Sequence, residues 1–193
     1  QLSMPSTKLK TMSRFVFISD IHLGSNSIKH LQKIIQKINV LDVDMLFIGG
    51  DLIDSNSFQP NQLSPFLSLN IPIYFVTGNH EYYLKNWQVI QKDLKKYNIH
   101  LLNNDCVEHN GLNIIGLNDN QNHELKAKKL QTMMKSNCVN VALVHKPCLW
   151  KNLSDKPELM LSGHTHAGQI WPFHWLVKRQ FSHYYGRYQE GKK

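Results

Sequence analysis

The sequence is poor in cysteine, with three residues in 193, and Cys106, Cys138 and Cys148 show no Cys-x-x-Cys spacing. That excludes a disulfide framework and a thiolate zinc site, and it points to a reducing compartment. Long apolar runs are missing as well. Stretches such as Met45–Ile48 cover only a few residues, whereas a membrane-crossing helix needs roughly 18 or more. A cytoplasmic location is therefore expected, at most in association with the inner face of the cell membrane. Arginine is scarce, at 3 residues against 19 lysines, so bidentate readout of phosphate or guanine is not the theme. What remains is a formal charge of +8, which favours anionic partners (phosphate substrates, nucleic acid or acidic lipid) without choosing among them. With 41% hydrophobic and 19% charged residues, the chain has the make-up of a soluble globular domain that can bury a full core. Histidine, at 11, is the residue whose number stands out for a chain of this length.

The first residue is not methionine, and residues 1–13 are polar and unpatterned. A flexible lead, or the cut end of a longer product, is expected there. Short β-favouring apolar runs predict buried strands at Phe15–Ile18, Met45–Ile48 and Ile73–Val76. Ile28, Leu31, Ile34, Ile35 and Ile38 recur at helical spacing. Helices are also expected over Trp87–Lys96 and Leu125–Met134. Cys106–Glu108 and Leu112–Ile115 flank Asn110-Gly111, which reads as a hairpin turn. Val139–Val144 and Leu159–Leu161 complete the strands. Alternating strands and helices followed by a hairpin predict an α/β sandwich with a mixed sheet, and such folds bind ligands beyond the carboxyl ends of strands.

The residues at those ends are unusual as a set. They are Asp20 and His22, then Asp51 and Asp54, then Asn79, His80 and Glu81, then His145, and last His164 and His166. Every expected buried strand outside the hairpin runs into a side chain able to bind a metal. Side chains two apart on extended chain point the same way, so Asp20 with His22, and His164 with His166, are expected to aim at one site. Glycines 50, 78 and 163 let the backbone turn sharply beside it. Imidazole, carboxylate and amide donors suit manganese, iron or zinc, with magnesium also compatible, and argue against copper(I) or an iron–sulfur cluster. Seven candidate ligands exceed one tetrahedral ion and suit two ions sharing a bridge.

Asp-x-His, Gly-Asp-x-x-Asp, Gly-Asn-His-Glu, an isolated His and Gly-His-x-His, in this order between Phe15 and about Trp171, resemble the calcineurin-like metallophosphoesterase superfamily. The resemblance implies a four-layer α/β/β/α sandwich with mixed sheets over residues 14–170. It implies that Asp20, His22 and His166 hold one metal, that Asp51 bridges, and that Asn79, His145 and His164 hold the second. His80 would stand beside the scissile phosphate and protonate or stabilise the leaving oxygen, with Asp54 and Glu81 supporting the ligands, Asp54 being alternatively only a cap or a turn residue. The implied reaction is in-line attack on phosphorus by a hydroxide bridging the two divalent ions. Ser55-Asn56 stand where protein serine/threonine phosphatases carry Arg-Gly, which disfavours a phosphoprotein substrate. The block Gly163–Gln169 is similar to a bacterial, often membrane-anchored subgroup, some of whose members act on lipid-linked nucleotides. A phosphodiesterase on a small or lipid-linked nucleotide is thus the leading expectation. A nuclease and a non-catalytic scaffold of the same fold are the alternatives. Residues 171–193 interleave aromatic and basic side chains. They are expected to pack on the domain or to meet a membrane interface.

Overall fold

The computed structural model describes residues 3–166, 179, 181, 183 and 185–190. Strands β1 (Phe15–Ile18), β2 (Met45–Ile48), β3 (Ile73–Phe75) and β4 (Ile99–Leu101) form one sheet, in that order and all parallel. A second sheet holds β5 (Asp105–His109), β6 (Leu112–Leu117), β7 (Val139–Val144) and β8 (Leu159–Leu161). Here β5 and β6 are the antiparallel hairpin, and β6, β7 and β8 are parallel. Asn110 and Gly111 at its turn take φ of 50° and 80°, as a tight hairpin connection requires. The mixed character is confined to this second sheet.

Strand alternation sorts the apolar side chains into three layers of contact. Leu46, Ile48, Ile73 and Phe75 face outward onto Leu31, Ile35 and Ile38 of α1 (Ile28–Asn39). Met45, Phe47, Tyr74 and Val76 face inward onto Leu112, Ile114, Val139, Val141 and Leu143, so the two sheets pack on each other. Ile115, Leu117, Ala142 and Val144 face the far side, against Ala127 and Leu130 of the helix His123–Met133. The result is the α/β/β/α sandwich, with the carboxyl ends of β1, β2, β3, β6, β7 and β8 gathered along one edge.

Three features differ from the sequence-based expectation. The helix expected over Trp87–Lys96 is an α-helix over Trp87–Asp93 that tightens into a 3-10 turn over Leu94–Tyr97, because Asn98 closes it in a left-handed conformation (φ 60°). Strand β4 and the 3-10 segment Pro60–Ser68 were not anticipated. The first has only three residues, with exposed His100 in the middle, and the second carries Pro65 inside it. Within the N-terminal stretch, Lys8 Nζ donates to the Cys138 carbonyl (3.1 Å) and pairs with Glu158 (2.6 Å), while Leu9 packs on the inter-sheet core. Ala167–Gln169 of the glycine-histidine block, and Trp171, Phe173, Trp175, Lys178 and Tyr184 of the aromatic segment, lie outside the described residues.

Phe47 is fully buried between the sheets, its ring 4.8 Å from that of Phe15. Phe47→Ala is expected to lower stability by about 3–5 kcal/mol, read as a shift in the urea midpoint with the slope unchanged.

Candidate metal centre

The loops after five strands converge at this edge. Asp20 and His22 follow β1, Asp51 follows β2, and Asn79 with His80 opens the helix Asn79–Tyr83 (α2) after β3. His145 follows β7, and His164 with His166 follows β8. Donor atoms within 4.8 Å of one another form three groups: Asp20, His22 and His166; His22, Asp51 and His80; and Asp51, His145 and His164. Asp51 and His22 each belong to two groups, which makes one continuous site. Asp20 and His22 share a group as expected, and all four paired residues reach this site, but the extended backbone expected to align them is corrected here. Asp20, His22, Asp51, His164 and His166 all take left-handed φ, between 47° and 71°. His164 and His166 accordingly fall into different groups. Such conformations are uncommon outside glycine and mark strain held by surrounding contacts.

Those contacts are visible. Asp20 N–H donates to the Gly50 carbonyl (3.0 Å) and His22 N–H to the Asp51 carbonyl (3.0 Å), tying the first loop to the second. The His164 N–H donates to Asp20 Oδ2 (3.1 Å). The fully buried Glu81 carboxylate accepts from the backbone N–H of Gly78 (2.7 Å), Ile53 (3.0 Å) and Asp51 (3.2 Å). One side chain thus pins the loops that present Asp51 and Asn79. Two glycines are required by close approach. A Cβ at Gly78 would collide with Asp51 Oδ1, and one at Gly50, where φ is 96°, would collide with the His145 ring.

The hydrogen bonds also set which nitrogens carry lone pairs. His145 Nδ1 sits 2.8 Å from the Gly49 carbonyl, which can only accept, so the proton is on Nδ1. Its Nε2 then faces Asp51 Oδ2 (3.1 Å) and His164 Nδ1 (3.1 Å). His22 Nδ1 likewise meets Asp54 Oδ2 (3.2 Å), and its Nε2 faces His166 Nε2 (3.4 Å). Carboxylate and carbonyl partners of this kind orient metal-binding imidazoles. His166 Nε2 is 3.6 Å from Asp20 Oδ1. His80 holds back: its N–H donates to Asp51 Oδ1 (3.0 Å), but its Nε2 is 3.9 Å from Asp51 Oδ2 and its side chain is 37% exposed.

Ionisation follows from burial and neighbours. Burial lowers the pKa of His22 against the opposing charges of Asp51 and Asp54. Burial, then the positive charges of His145 and Lys146, bring His164 down to about 4. For Asp51, burial pushes upward, yet the hydrogen bond and charge of His145 prevail and hold it at about 2. Burial opposes protonation of His145, but its bond to Asp51 outweighs that and raises its pKa. Burial lifts Glu81 to about 7, partly offset by the Ile53 N–H. Asp51 is therefore an anion at neutral pH, with His22 and His164 deprotonated around it.

Whether such a set fits metal can be tested on Asn79. Its Oδ1 is buried and has no hydrogen-bond partner among the described residues, an arrangement that is costly unless another electrophile takes the lone pair. Lone pairs of imidazole and carboxylate also converge at 3.1–3.6 Å. Divalent cations satisfy both. The sequence reading missed one neighbour of this site. Asp119, two residues beyond β6, pairs with Lys126 (3.0 Å) and with Lys146, the residue after His145. An aspartate in a loop and lysines in a basic chain carry no spacing signal.

An α/β/β/α sandwich with paired metal-competent groups across its strand ends defines a class of metal-dependent phosphoester hydrolases. Residues 13–188 match the calcineurin-like phosphoesterase family, and the chain belongs to that family. It is 37% identical to an uncharacterized metallophosphoesterase of Campylobacter jejuni, over 96% of this chain and 52% of the relative. It is 34% identical to one from Helicobacter pylori, over 94% and 52% respectively. A bovine transmembrane protein with a metallophosphoesterase domain is 31% identical, over 82% of this chain and 41% of its own length. The chain thus spans about half the length of the bacterial relatives, at 52%. Among the described residues, no helix is long and apolar enough to cross a membrane.

Glu81→Gln turns an amide N–H₂ toward backbone N–H donors. Stability is expected to fall by about 1–3 kcal/mol, measured by urea unfolding at pH 8, where the native carboxylate is ionised.

Proposed function

We propose that this chain is a binuclear metal-dependent hydrolase of phosphoester or diphosphate bonds, acting as a phosphodiesterase on a small or lipid-linked nucleotide. The observation that carries this reading is Asp51, whose carboxylate is shared by two of the three metal-competent groups. Asp20, His22 and His166 would hold one ion and Asn79, His145 and His164 the other, with Asp51 between them. The donor set favours manganese, iron or zinc, with magnesium as a fourth option. When bound, two such ions supply an activated water and neutralise charge developing on the phosphoryl oxygens.

The chain's own residues do the rest. Asp20 and Asp51 contribute two negative charges against four brought by the ions, so the pocket retains an excess that draws in phosphate. Glu81 and Asp54 keep Asp51 and His22 aimed. His80 is anchored through its backbone to Asp51 while its ring reaches the opening, edge-on to exposed Tyr83 at 5.8 Å. That position suits an imidazole that gives a proton to the departing oxygen. The +8 charge suits peripheral association with an anionic membrane face, and the bovine relative carries its metallophosphoesterase domain in a protein named as transmembrane.

The test is an assay of metal-loaded protein on a chromogenic diester, a monoester, single-stranded DNA and a lipid-linked diphosphate. Diester or diphosphate turnover that a chelator abolishes is expected. Preference for DNA would favour a nuclease, and no hydrolysis of any substrate with manganese present would favour a scaffold. His80→Ala should keep its metal and lose about 10²–10⁴-fold in kcat; intact activity would refute the role given to His80. Asp51→Asn should lose both ions, because one carboxylate serves two sites; two metals found by elemental analysis would refute the bridge.

A further inference from the structure

Beside the centre lies a charged cluster that the proposed chemistry leaves idle. The Asp119 carboxylate, 1% exposed, pairs with Lys126, 2% exposed, and with Lys146, 29% exposed. Two ammonium groups share one carboxylate, and among the described residues neither lysine has another carboxylate within ion-pair distance. Lys126 with Asp119 alone would be a neutral buried pair. Lys146 adds an excess positive charge where water reaches it only in part, which leaves it able to take a further anionic partner.

The cluster is fixed against the second half of the centre. Lys146 directly follows His145, and its charge is felt at His164. The Asp119 N–H meets Thr77 Oγ1 (3.4 Å), whose hydroxyl also bonds Tyr82 (3.0 Å), and Thr77 stands two residues before Asn79. The partly open ammonium is therefore tied to the chain segments that carry His145 and Asn79 and lies close enough to His164 to act on it electrostatically. We infer that Lys146, positioned by Asp119 and backed by Lys126, is a specificity-determining residue that binds a second anionic group of the substrate, beyond the phosphorus under attack. This rests on the phosphodiesterase reading above. It selects substrates with two adjacent charges, diphosphates above all, over singly charged diesters.

Two substrates separate the outcomes: uridine diphosphate glucose, which carries two charges, and bis(4-nitrophenyl) phosphate, which carries one. With manganese-loaded Lys146→Met, KM for the first should rise about 10–100-fold, the loss of one charge-assisted contact, with kcat and all diester kinetics near wild type. Lys146→Arg should restore most of the KM. Calorimetry with manganese in cell and syringe gives a second readout. α,β-Methylene-ADP should bind Lys146→Met about 10-fold or more weakly, with AMP unchanged. Equal losses on both substrates, loss on neither, or an unaltered methylene-ADP affinity overturns the inference. Hydrolysis of neither these two substrates nor the lipid-linked diphosphate by wild-type protein refutes the phosphodiesterase reading instead, and the calorimetry still decides the role of Lys146. If the methionine variant fails to fold by circular dichroism, Lys146→Gln takes its place with the same expected results.

Discussion

His145 belongs to the second sheet, yet both of its ring nitrogens are committed to the first. Nδ1 is fixed by the Gly49 carbonyl at the end of β2, and Nε2 by Asp51 one loop residue further on. The ring is fully buried, so neither bond is shared with solvent. The distance between the sheets at this edge is therefore set by one imidazole as well as by the inter-sheet layer around Phe47. Displacing the sheets by a single residue would leave Asp51 as a buried anion without its imidazole partner, and burying a charge alone is among the costliest changes a fold can suffer. Packing of the core and placement of the candidate ligands are in this sense one constraint.

Around that clasp, backbone strain and electrostatics work together. Five site residues hold left-handed backbone, and the loops bearing them are laced by backbone N–H groups that donate to the Gly50 and Asp51 carbonyls and to the Glu81 carboxylate. The same enclosure that enforces the conformation removes water, which depresses the basicity of His22 and His164 while Asp51 keeps its charge. A cation arriving here meets deprotonated donors already aimed, so little reorganisation is left for the binding step.

Much of this was legible in the sequence because of how particular residues are spaced. β2 and β7 are nearly unbroken apolar runs, and their fully buried patterns bear out that reading, while β6, expected over Leu112–Ile115 only as an arm of the hairpin, runs on to Leu117 and is as fully buried. β4 escaped because a three-residue edge strand with an exposed histidine looks like loop. The residues after each strand stood out as a series, and the structure brings Asp20, His22, Asp51, His80, His145, His164 and His166 into shared groups. The local geometry was not legible, since two-residue spacing suggests extended chain and says nothing of left-handed φ. Nor was the meeting of Asp119 with Lys126 and Lys146, which depends on how the helix His123–Met133 and the loop after β6 pack on the second sheet rather than on any pattern along the chain.

The contact between Asp20 and His164 joins positions 144 residues apart. Loop closure over such a span comes late in folding, and parallel strand pairing adds further non-local steps. On the ribosome, the first sheet can assemble with its side of the cleft open well before β8 emerges. Ion capture by the full set of donors then has to wait until His164 and His166 have been made, so a fragment stalled before β8 would lack part of the cage.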